Sequence, residues 1–65
     1  MKLYTRVGTR VRLKDDLDSP VIKTYLEILE MDVLEKRPSE SGMWYKVKQG
    51  EIEGWVMSKS VNFKK

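Results

Sequence analysis

Cysteine and histidine are both absent from this 65-residue chain. No disulfide can staple the fold, and no Cys/His metal centre can nucleate it. The commonest general base and the strongest side-chain nucleophile are missing too, which argues against an enzyme. Gly8, Gly42, Gly50 and Gly54 stand too far apart for a phosphate-cradling loop. No apolar run approaches the roughly 18 residues of a membrane span, and no secretory hydrophobic segment follows Met1. No motif asks for a cofactor or a metal.

What is present is enough for one small domain spanning 1–65. The apolar content of 40% is that of a folded chain and too high for a disordered one. At this length only about 60% of the unfolded surface is buried, so stability must come from tight packing and hydrogen bonding. The 13 basic and 10 acidic side chains give a net charge of +3. They are placed in blocks. Residues 1–14 hold five bases and no acid, 15–40 hold eight acids and three bases, and 41–65 hold five bases and two acids. A barrel that brings its ends together would carry a positive face opposite a negative one.

The alternation in Thr9–Leu13 sends Val11 and Leu13 to one side and Arg10 and Arg12 to the other, as in a half-buried strand. Gly8 marks a bend or bulge before it. Lys14-Asp15-Asp16-Leu17-Asp18-Ser19-Pro20 is a loop by composition. Its three aspartates lack the glycine and distal glutamate of an EF-hand, so an acidic recognition loop or a plain solvated turn fits better than a calcium site. Residues 21–36 fit two descriptions. Ile22, Tyr25, Leu26, Leu29 and Val33 form a helical stripe. The same stretch also reads as two strands, with Leu29, Met31 and Val33 alternating against Glu30 and Asp32. No internal stop divides it. Strands are preferred because the rest of the chain, from Met43 onward, has a strand pattern.

Arg37-Pro38-Ser39-Glu40-Ser41-Gly42 reads as a loop. Met43–Lys48 alternates, Gln49-Gly50-Glu51 is a tight connection, and Ile52–Val56 pairs back as a hairpin. Ser58-Lys59-Ser60 suits one helical turn, Val61 and Phe63 a last short strand, and Lys64-Lys65 a tail. Five or six short antiparallel strands in so short a chain imply a small closed barrel, which hides its edges.

Trp44-Tyr45-Lys46-Val47, followed by Gly54-Trp55-Val56 and the turn Met57–Val61, resembles the Src-homology-3 barrel, and most closely its bacterial (SH3b) branch. Arg10-Val11-Arg12, Ser19-Pro20-Val21-Ile22 and Met31-Asp32-Val33-Leu34 resemble that family's earlier strands and loop exit, so the likeness spans roughly 9–61. It implies an all-β SH3-like barrel with a 3-10 turn near the C-terminus. It also implies a non-catalytic module that binds a peptide or a peptidoglycan ligand of the cell wall. Met57 and Ser60 stand where eukaryotic members carry the Pro and Tyr of a polyproline groove, and the 14–20 loop has no aromatic. Both departures point away from a PxxP ligand.

Strand parity completes the candidate site. If Tyr45 and Val47 face the core, Trp44 faces out beside Lys46 and Lys48, and Trp55 faces out beside Glu53 and Met57. An exposed indole pair would anchor a ligand. The alternative is an indole folded beneath a loop. The expected binding residues are Trp44, Trp55 and Met57, with Asp15, Asp16 and Asp18 selecting cationic groups. Two other readings stay open. One is a free-standing cytoplasmic interaction or inhibitor protein of phage or mobile-element type. The other is a basic barrel binding nucleic acid through Arg10, Arg12, Lys46 and Lys48. Location depends on Met1: cytoplasmic if it is the native start, cell wall or extracellular if the chain is excised from a larger secreted protein.

Overall fold

The computed structural model describes residues 1–64 and is all-β. Seven antiparallel strands run in chain order: β1 (Lys2–Thr5), β2 (Thr9–Arg12), β3 (Val21–Tyr25), β4 (Glu30–Ser39), β5 (Gly42–Gln49), β6 (Ile52–Met57) and β7 (Val61–Asn62). A 3-10 turn, Ser58–Ser60, joins β6 to β7. The strands form one curled sheet in the order β3-β2-β6-β5-β4-β1-β7, a half-barrel of 27 × 21 × 19 Å.

The all-β architecture, the hairpin and the 3-10 turn are as expected, but seven strands replace five or six. The additional strand is β1, which pairs with β4 through Leu3 and Met31 and with β7 through Thr5 and Val61. It is separated from β2 by a turn in which Gly8 takes φ +95, a backbone region that costs glycine little. Residues 21–36 are extended rather than helical. Their missing stop is supplied by Thr5, whose hydroxyl donates to Glu27 O (2.6 Å) and accepts from Leu29 N (2.8 Å). The expected loop 37–42 shrinks, because β4 continues through Pro38 to Ser39. This is tolerated because that half of β4 is a sheet edge, pairing only with β5, and edges are where a strand admits proline. Of the Lys64-Lys65 tail, Lys65 lies outside the described residues.

The core is Leu3, Val11, Tyr25, Met31, Tyr45, Val47, Val56 and Val61. Leu13, expected inside with Val11, is 56% exposed. The β2–β3 register shifts between Val11 and Arg12, which breaks the alternation after Val11. The buried polar side chains are satisfied. Thr9 donates to Ser60 O (2.6 Å) and accepts from Arg6 N (2.8 Å). Arg6 donates to Asn62 Oδ1, Lys59 O and Val61 O at 2.9–3.2 Å.

β2 crosses β6 at Gly54. A Cβ there would lie 2.5 Å from Arg12 O and 2.6 Å from Val11 Cγ1. Gly54→Ala is expected to destabilise the fold by about 1–3 kcal/mol, as overpacking does. Denaturant titration checks this, and unchanged stability would remove the close approach from the account. Burial pushes the Tyr25 phenol above its ordinary pKa, and the hydrogen bond and charge of Glu30 do the same for Lys2. In both cases the folded state holds the proton more tightly than the unfolded state. The stabilisation is full below the unfolded pKa values and is lost as pH rises through the folded ones. Stability should therefore decline above about pH 10, and Tyr25→Phe should soften that decline. Denaturation midpoints across the alkaline range report it.

Candidate functional site

The outer face of the sheet is organised by cross-strand neighbours. One row reads Asp32, Lys48, Glu53 across β4, β5 and β6. The next reads Glu35, Lys46, Trp55, Arg12, and the third Arg37, Trp44, Met57. Opposite charges sit beside one another in the first two rows, and Lys46 Nζ reaches Glu53 Oε2 at 3.6 Å. Directly opposed unlike charges are favourable in a sheet.

Parity places the two tryptophans on this outer face, as expected, but neither is exposed. Trp44 is 0% and Trp55 6% exposed, and with Met57 they form a second buried cluster. The expected exposed Trp pair is thus corrected. Neighbouring groups fold over the indoles. The Arg37 guanidinium lies 4.8 Å from the Trp55 ring, a cation–π stack. Trp44 Nε1 donates to Ser41 Oγ at 2.9 Å. Arg37 also meets Asp15 Oδ2 (3.4 Å) and Glu35 Oε1 (2.6 Å), pinning the 13–20 loop against β4. Glu35 first, and Asp15 after it, hold the guanidinium above its ordinary pKa.

The 13–20 loop is braced from within. Arg12 donates to Leu17 O and Ser19 O, each at 3.0 Å. Asp16 Oδ1 accepts from Asp18 N (2.9 Å), an Asx turn. Ser19 Oγ accepts from Lys14 N (2.8 Å). This order holds Leu17, half-exposed, between two open clefts. The larger, about 470 Å³, is lined by Asp15, Asp16, Asp18, Glu40 and the serines 39 and 41. The smaller, about 280 Å³, has Arg10, Arg12, Lys59 and Ser60 around Trp44 and Met57.

The structure therefore gathers Asp15, Asp16 and Asp18 in one cleft and Arg10, Arg12, Trp44 and Met57 in the other. Trp55 packs with Trp44 and Met57 beneath Arg37 but lines neither cleft. Lys46 and Lys48 line neither cleft and stand in the charge-paired rows, where Lys46 meets Glu53, so only Arg10 and Arg12 of the four bases share a cleft. Leu17, Glu40, Ser41 and Lys59 escaped the sequence reading, and Ser60 entered it only as a departure from the family's groove. Nothing local in 37–42 signals that its tip meets the 13–20 loop. Among the described residues no group of acidic side chains is arranged to hold a metal ion. Among the same residues no helix is long and apolar enough to cross a membrane. The chain matches no known protein family, no curated protein and no solved structure.

Arg37→Ala should leave the fold intact while exposing Trp55. Emission should shift to the red and acrylamide quenching should rise. Unaltered quenching would show that Arg37 does not cover the ring.

Proposed function

We propose that the chain is a non-catalytic binding module of bacterial SH3 type that takes a peptide. Peptidoglycan stem peptides are its leading ligands. One observation carries the reading: the 13–20 and 39–41 loops face each other across a cleft lined, among the described residues, by four carboxylates and no base. Of these, only Asp15 is engaged by a cation among the described residues. Such a cleft attracts an ammonium or guanidinium group, with half-exposed Leu17 offering apolar contact beside it. The 3-10 turn between β6 and β7 also falls where the resemblance to that family puts it. Trp44 and Trp55 act beneath this surface as its packed support. Nucleic-acid binding is the weaker reading, because the outer-face lysines already have acidic neighbours.

The test is an amide NMR titration with solubilised peptidoglycan fragments. The Trp44 indole N–H is a built-in reporter, since it donates to a serine of the cleft wall. Saturable shifts at 14–18, 39–41 and this indole are expected, weakening as salt rises. Asp18→Asn and Glu40→Gln should each reduce affinity by up to about fivefold, the range of exposed charge pairs. Silence at millimolar fragment would discard wall binding.

A further inference from the structure

The smaller cleft has the opposite charge and a different construction. Its wall carries Arg10, Arg12 and Lys59, and among the described residues no acidic side chain lines it. Arg12 is committed to the carbonyls of Leu17 and Ser19. Arg10 and Lys59 are free: among the described residues neither side chain has a hydrogen bond or ion pair. The Ser60 hydroxyl is likewise unpaired among the described residues, while its carbonyl is fixed by Thr9. Arg6, bonded to the carbonyls of Lys59 and Val61, fixes the backbone that presents Lys59 and Ser60.

We propose that Arg10, Lys59 and Ser60 form an anion subsite, and that it receives a carboxylate of the ligand. A guanidinium presents paired donors that match a carboxylate's two oxygens, and an ammonium adds a second charge. The buried indole and thioether below replace water with apolar matter, which strengthens the interaction. With the acidic cleft across Leu17, the subsite gives the groove a direction: carboxylate beside Arg10, cationic group beside Asp18 and Glu40. This direction rests on the peptide reading above, whereas the subsite itself does not.

Inorganic phosphate, titrated against chloride at matched ionic strength, tests the subsite without a peptide. Shifts should saturate at residues 8–10 and 57–60 and vanish in Arg10→Gln and Lys59→Gln. Arg10→Gln removes no structural contact, so the fold should persist. Shifts spread over all lysines, or none at these residues, overturn the subsite. The direction is tested with a short lysine-containing peptide bearing a free or an amidated C-terminus. The free acid should bind on the order of tenfold tighter, the scale of a charged hydrogen bond, and Arg10→Gln should erase the difference. Equal affinities overturn the direction. If neither peptide binds while phosphate still saturates at Arg10, the peptide reading fails and the subsite stands.

Discussion

The fold depends on one close crossing, where the backbone of β2 lies against β6 at Gly54. No side chain fits there, since a Cβ would press on Arg12 O and Val11 Cγ1. The absence of that one atom lets the β2–β3 hairpin fold onto the β5–β6 hairpin. The crossing buries Val11 against Val47 and Val56, and it carries the 13–20 loop over the outer face. The core and the clefts therefore share a cause.

The closed barrel expected from so many short strands is not reached by strand pairing, and the sheet stays a half-barrel. β3 and β7 remain at the two ends of the order, and side chains span the gap. Thr5 and Thr9, both fully buried, each donate to a carbonyl and accept from an amide. Arg6 collects the remaining carbonyls of the C-terminal segment. Buried hydroxyls are costly when unpaired, and these are fully paired. They do here what disulfides or metals do in other domains of this size.

Charge is sorted by the same geometry. On the flat part of the outer face, strand register sets acid beside base, and the field largely cancels. At the edge, where two loops and the 3-10 turn meet around Leu17, register no longer governs. Four carboxylates collect on one side and three cations on the other. The two clefts thus carry opposite charge on either side of one half-exposed apolar residue.

Local pattern in the sequence determined the class of fold, the β5–β6 hairpin, a single helical turn at Ser58–Ser60 and which face each tryptophan takes. Those features arise from neighbours two to four residues apart, where alternation and turn chemistry act directly. The break between β3 and β4 was not legible, because the group that makes it, Thr5, is more than 20 residues away. Leu13 misled, because the register shift after Val11 cancels its alternation. The aspartates of the 13–20 loop were visible as an acidic loop, but Glu40 as their neighbour was not. Only the tertiary structure decided that both indoles are covered, that Lys46 and Lys48 do not share the cleft of Arg10, and that two clefts of opposite sign adjoin. Parity fixes the side to which a residue points; what lies on that side depends on segments brought together from across the chain.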